Sequence, residues 1–389
     1  MKNNSYFFLF LSLFFMVSSC NRKGCTDPEA YNYDSAAKAD DGSCNFSSII
    51  RRASSGNKIN STSDGGVFMA GLAHYDINDE GDRSTDNNGS FLMKLDGSHG
   101  IEWEQPFFSF DHYSTFVAGL SLTDGNFVVA NRKFGVTDSS ELVCLDESGE
   151  LRWKNKWGFG VQDIIETADY GLYVLGTFSN NLQTNSPTYS TIAKLDNQGF
   201  SSWNITQEDI VAKRIIETPD GGISILGYND DYRMRIVRYD PIGNLLSSED
   251  YDGQFYPDPS SPNLQIGSEN NLIMSYNYLN GLDGKEYVAF YQIDNNGEIE
   301  WESILEGEKG FYSSFGELIV TGNDEVRKYS QNGELIWSTD ISSGVVVHIN
   351  EGSNGIILMT GSKTDLSGES KVWHVQVSSS GSVLVDQTY

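Results

Sequence analysis

Catalysis needs titratable or nucleophilic side chains within reach of one another, and few runs of this sequence supply them. The five histidines, His74, His99, His112, His348 and His374, do not cluster along the chain. No His-Glu-x-x-His, Gly-x-Ser-x-Gly or Cys-x-x-Cys occurs, so metalloprotease, serine-hydrolase and dithiol chemistry have no local signature. Hard oxygen ligands gather between Cys25 and Cys44: Asp27, Asn32, Asp34, Asp40 and Asp41. They could hold calcium, but their spacing is not that of an EF-hand loop, and turn formation and solubility account for the same residues. Beyond calcium no cofactor is expected. Cys144 lies in a strand where other copies of a repeat carry Lys94 and Lys194, and reads as a quiet, half-exposed thiol with no paired base nearby.

The elements that must position any site are short strands in a repeated unit. A Leu-Asp pair recurs at Leu95-Asp96, Leu145-Asp146 and Leu195-Asp196, with degenerate copies at Tyr239-Asp240, Ile293-Asp294, Tyr329-Ser330 and Val377-Ser378. A turn glycine follows at Gly149, Gly199, Gly243, Gly297, Gly333 and Gly381. Four residues later stand Trp153, Trp203, Trp301 and Trp337, and Trp103 is a fifth with its turn shifted by one residue. An upstream turn recurs as Asp64-Gly65-Gly66, Asp124-Gly125, Asp169-Tyr170-Gly171, Asp220-Gly221-Gly222, Asn270-Asn271, Gly316 and Asn354-Gly355. Each unit reads as four strands, a to d; in the third they lie near 162–166, 172–175, 191–195 and 201–205. Seven such units predict an all-β fold, a seven-bladed β-propeller of four-stranded antiparallel blades over residues 57–389. Six blades result if the unit near 309–341 is incomplete; an open β-solenoid or two sandwiches is the alternative architecture. The last unit owns a strand d, Val383 to Gln387, so terminal strand exchange is not required.

The motif DGG-apolar-G…KLD-x-x-G-x-x-x-W resembles propeller repeats of exported proteins and lipoproteins of Bacteroidota, distantly similar to quinoprotein-type blades. The resemblance implies a fold and is nearly silent on activity. The Gly-His…Trp-Asp pairing of WD40 blades is missing, the turn is Asp-x-x-Gly rather than the Asp-x-Gly of sialidase boxes, and no vicinal cysteine pair marks a quinone-cofactor dehydrogenase. Ahead of the repeat, Gly24-Cys25-Thr26-Asp27-Pro28…Asp41-Gly42-Ser43-Cys44 resembles a short module of the same exported proteins.

Lys2 and the apolar run Tyr6 to Val17 form an export signal over residues 1–19. Val17-Ser18-Ser19-Cys20 resembles a lipobox, which makes Cys20 the lipidated first residue; ordinary cleavage or an uncleaved anchor are the alternatives. A lipid chain would tether the protein to the outer membrane without spanning it, with its side undetermined because Asn21-Arg22-Lys23 lacks early acidic residues. An oxidising compartment favours a Cys25–Cys44 disulfide within the 20–56 segment. With 54 acidic and 26 basic residues the net charge is −28, or −29 once residues 1–19 and Lys2 are gone. That balance argues against nucleic acid and anionic lipid surfaces as partners.

In an antiparallel meander the short a–b and c–d turns share one end, and the b–c loops and d–a crossovers share the other. Variation concentrates on the second end, from the long loop Ala73 to Gly89 to the two-residue Asn323-Asp324. Binding loops in repeat proteins favour one face. Candidate ligand-face residues there are Arg132, Trp157, Phe159, Tyr251, Phe255 and Tyr256, whose rings could stack on a sugar or anchor a peptide. The competing reading wedges these aromatics between blades. The sequence thus points to a monomeric, non-catalytic binding or scaffold module of the cell envelope, taking a protein or glycan partner. The alternative is a carbohydrate-active protein, with carboxylates at the axial channel if it cleaves.

Overall fold

The computed structural model describes residues 23–24, 38–40, 50–76, 88–108, 114–133, 139–178, 189–231, 233–251, 260–322 and 324–389. The chain divides into two units. In the first, Lys23–Gly24 pairs in parallel with Ala39–Asp40. Cys20, Cys25, Cys44, Asp27, Asn32, Asp34, Asp41, Phe255 and Tyr256 lie outside the described residues, as does the side chain of Asp40.

The second unit is a ring of seven four-stranded antiparallel sheets, each made of consecutive strands. Blade 1 comprises strands a to d at Ile50–Ser61, Val67–Asp76, Asn88–Leu95 and Ile101–Phe108. Blade 2 has Ser114–Ser121, Phe127–Lys133, Ser139–Leu145 and Leu151–Trp157; blade 3 has Gly160–Glu166, Leu172–Phe178, Tyr189–Leu195 and Ser201–Gln207. Blade 4 has Val211–Glu217, Ile223–Tyr228, Met234–Tyr239 and Leu245–Tyr251; blade 5 has Ser260–Ile266, Leu272–Leu279, Glu286–Ile293 and Ile299–Glu306. Blade 6 has Lys309–Tyr312, Leu318–Gly322, Glu325–Tyr329 and Leu335–Asp340; blade 7 has Val345–Glu351, Ile357–Thr364, Ser370–Val377 and Val383–Thr388. Blade 6 is therefore complete, though its inner strand has only four residues. The first inner strand already starts at Ile50, inside the stretch read as linker. In blade 3, strand b continues past Gly176 to Phe178, because the ladder to Tyr189 is unbroken.

The core is a series of layers between blades. Phe68, Ala70 and Leu92 of blade 1 pack on Phe116, Phe127 and Val129 of blade 2. Tyr173, Leu175 and Ile192 of blade 3 pack on Ile215, Ile225 and Val237 of blade 4. Strand d is the outer edge, and its alternating exposure sends one face to solvent and the tryptophans inward. Three of the indoles tie their blade to the next, whereas Trp301 Nε1 donates to Gln292 Oε1 of its own blade at 2.9 Å. Trp103 Nε1 donates to the Glu147 carbonyl at 2.9 Å, Trp153 Nε1 to Asn197 at 3.3 Å and Trp337 Nε1 to Ser379 at 3.2 Å. The acceptors sit on c–d turns, which the aspartates build: Asp146 Oδ1 accepts from the Ser148 and Glu150 N–H groups, and Asp294 Oδ1 from Asn296 and Glu298.

In blade 1 the turn is not shifted. His99 occupies the glycine position, with φ 65, and its N–H bonds to the Asp96 carbonyl as Gly149 does to Asp146. A left-handed histidine is strained, and it stands where the ring closes. The Tyr389 hydroxyl donates to the His99 carbonyl at 2.9 Å, and the His99 and His374 rings meet edge-on at 5.8 Å. The Gln376 amide nitrogen donates to His374 Nε2 at 3.2 Å, which keeps that ring nitrogen unprotonated. Burial, then His99, pushes the His374 imidazole down to about 3. The unfolded chain therefore binds a proton that the fold refuses, and stability should drain away as pH falls from about 6.5 toward 3. His374→Gln should flatten this acid limb of the thermal midpoint; wild-type and variant curves running parallel would refute it.

Candidate functional site

The inner strands of all seven blades line the axis, and one register position on them builds the site. Each a–b turn opens with an N–H that closes onto the carbonyl four residues on: Thr62, Leu122, Thr167, Thr218, Gly267, Ser313 and Gly352. Four residues before each of these stand Lys58, Ala118, Asp163, Arg214, Asn263, Lys309 and His348. All but the buried Ala118 line one axial cavity of about 440 Å³. A chain of net charge −28 thus places basic side chains at four of the seven positions in this layer.

A bulge aims four of these residues. The a–b ladder skips one residue between Phe116 and Ala118, Val161 and Asp163, Ala212 and Arg214, and Val346 and His348. A bulge bends a strand and re-aims the side chain that follows it. Glycine in strand b makes room for the displaced backbone: a Cβ on Gly71, Gly227 or Gly361 would lie 2.1, 2.3 or 1.8 Å from the carbonyl of Ser55, Val211 or Val345.

The electrostatics follow from gathering like charges away from bulk water. Burial, then the Arg214 guanidinium, pushes the Lys58 ammonium down to about 8, against a partial offset from Asp163. Burial also lowers Lys309, with Glu286 and Glu308 opposing and Arg214 adding to the shift. His348 falls well below the usual imidazole value through burial and the charges of Lys58, Arg214 and Lys309, so it is neutral. Its Nδ1 is buried without a hydrogen-bond partner. Asp163 Oδ2 accepts the Ile215 N–H at 3.1 Å, which fixes the ring's one carboxylate between blades 3 and 4. Basic side chains gathered on one layer of a cavity, where Asp163 is the one acidic group, attract negative charge.

The residues chosen from the sequence sit elsewhere. Trp157 and Phe159 lie 5.2 Å apart and pack against the layer between blades 2 and 3, with the Phe159 ring over Gly176. Arg132 lies against Gly160 at the same boundary. Tyr251 is buried, and its hydroxyl donates to the Gly297 carbonyl at 3.2 Å. Cys144 is buried rather than half-exposed, and burial raises its thiol to about 12, so it stays protonated. Among the described residues no group of three or more His, Cys, Asp or Glu side chains could hold a metal ion.

No protein-family model matches the chain, and no curated protein matches it. Solved structures do. A protein of unknown function from Bacteroides caccae shares 14% identity over 77% of this chain and 90% of its own, with a TM-score of 0.44. The Dos1 propeller shares 9% identity over 87% of this chain and 85% of its own, with a TM-score of 0.50. A variant of apocarotenoid oxygenase from Synechocystis shares 9% over 87% and 93%, with a TM-score of 0.52. At such identities the likeness speaks for the fold alone.

Proposed function

We propose that this propeller is a non-catalytic binding module of the cell envelope, tethered through Cys20, whose ligand site is the axial cavity. The group it grips is an oxyanion: a carboxylate, phosphate or sulfate, free or carried on an envelope glycan or protein. The observation behind this reading is the convergence of Lys58, Arg214, Lys309 and His348 on one layer. Arg and Lys donors around a desolvated cavity give charge-assisted hydrogen bonds, which are the stronger class. Support for glycan cleavage is weaker, because hydrolysis commonly uses two carboxylates and this layer carries Asp163 alone.

The test is a titration of the protein from Gly24 onward with phosphate, sulfate and glucuronate, read by calorimetry and by thermal midpoint. Saturable binding is expected at pH 7. It should weaken as pH rises through about 8, where Lys58 loses its proton, and Arg214→Ala should remove it. No anion-dependent shift at pH 7, with any of the three, would sink the proposal.

A further inference from the structure

The seam between blades 4 and 5 breaks the packing rule of its neighbours. Across strands b, c and d, one row of side chains backs each seam. In blade 1 the row is Phe68, Lys94 and Trp103; in blade 3 it is Tyr173, Lys194 and Trp203; in blade 6 it is Ile319, Lys328 and Trp337. In blade 4 the row is Ser224, Arg238 and Ser247. Two large apolar side chains are thus replaced by two hydroxyls, and a cleft of about 470 Å³ opens there, lined by Ser224, Arg238, Leu246, Ser247, Leu272 and Asn295. Blade 7 also lacks the tryptophan, with Val385 in its place, but Tyr389, His99 and His374 pack together at that seam.

Two observations mark this cleft as a receptor rather than a packing fault. Ser224 is fully buried, and its Oγ has no hydrogen-bond partner. Arg238 stands in for the missing indole as the tie between blades. Its Nη1 donates to the Asn295 carbonyl at 3.0 Å and its Nη2 to the Asp294 carbonyl at 2.8 Å. The turn that other seams offer to an indole N–H is present here too, and a carbonyl oxygen has a second lone pair.

We propose that this cleft binds a planar aromatic ring with a polar edge, of the indole or phenol type. The fold itself supplies the argument for that occupant, since five other seams fill the same register with their own indole. A ring seated there would rest on Leu272, meet the Arg238 guanidinium on its face or edge, and present its N–H or O–H to Ser224 Oγ or the Asn295 carbonyl. The size falls within that of small-ligand pockets. The cleft lies at the end of the propeller with the short turns, apart from the axial layer, so the two sites can be separated experimentally.

The experiment is a titration of the protein with indole and with the tripeptide Gly-Trp-Gly, followed by NMR line broadening of the probe and by thermal midpoint. Saturable binding is expected for wild type. Ser224→Ala, a change too small to disturb the fold, should weaken it severalfold. Ser247→Trp should abolish it while raising the midpoint, because the protein's own ring then fills the space. Tighter binding of the tripeptide assigns the ring to a polypeptide partner, and tighter binding of indole to a small molecule. Neither probe saturating wild type at millimolar concentration, or binding unchanged in both variants, overturns the proposal. Anion binding at the axis should persist in Ser247→Trp, so failure of one site does not imply failure of the other.

Discussion

Lys58→Met is expected to make the protein more stable and a poorer anion binder at once. The ammonium is held near pH 8 by burial and by Arg214, so keeping it charged at pH 7 works against folding. The sign is fixed by linkage. The folded-state value lies below the ordinary 10.5, so the cost is fully present below about pH 8 and disappears as pH climbs toward 10.5. Methionine keeps much of the length and removes the charge. A gain of about 1–2 kcal/mol at pH 7 is a reasonable scale for relieving a buried like-charge contact. Losing one charge-assisted donor should weaken oxyanion binding about tenfold or more. Chemical denaturation at pH 7 and pH 10 checks the first part, since the advantage of the variant should shrink at the higher pH. Equal stability at pH 7 together with unchanged anion affinity would remove Lys58 from the site.

Gly227→Val should also weaken anion binding, but with a loss of stability rather than a gain. Its Cβ would stand 2.3 Å from the Val211 carbonyl and 2.6 Å from the Ala212 Cα, against the backbone that bulges immediately before Arg214. Backbone cannot swing aside as a side chain does. The inner strand must shift, and the guanidinium with it. A loss of about 2–4 kcal/mol fits an overpacked core site. Oxyanion affinity should fall further than stability alone explains, read by calorimetry well below the unfolding midpoint. A variant as stable as wild type would show that the inner strand does not depend on this glycine.

The turns and the tryptophans were legible because they are the same in blade after blade: turn chemistry demands Asp and Gly, and the seams demand a large flat ring. The axial layer escaped for the converse reason. Lys58, Ala118, Asp163, Arg214, Asn263, Lys309 and His348 share a register but no residue type, so a search for likeness passes over them. Counting back four residues from each recognised a–b turn would have aligned them and exposed the excess of basic residues. The bulge that aims four of them leaves no mark in composition, because the residues preceding the aimed side chain are as different as Gln162, Lys213 and Val347. His99 misled in another way: a histidine at a left-handed position looks like a one-residue slip until the hydrogen bonds of the turn are seen. Aromatic rings near the crossovers, such as Trp157 and Tyr251, could be read as ligand platform or as wedge, and only three-dimensional packing separates those roles.

Because every blade uses its own four consecutive strands, no strand is shared across the closing seam. What joins blade 7 to blade 1 is a set of side-chain bonds between residues about 290 to 318 positions apart: Val372 N–H to Ser54 Oγ at 3.1 Å, Ser370 Oγ to the Ser54 carbonyl at 3.3 Å, Asn350 to Asn60 at 3.2 Å and Tyr389 to His99. Among the described residues, the side-chain hydrogen bonds between successive blades join residues at most 59 positions apart and can form early, whereas this clasp meets the entropy of closing the longest loop in the domain. The ring of blades is therefore closed at this seam by bonds that each use a side chain. Removing the Ser54 hydroxyl or the Asn60 amide should loosen the ring at this seam while leaving the strand ladders within each blade intact.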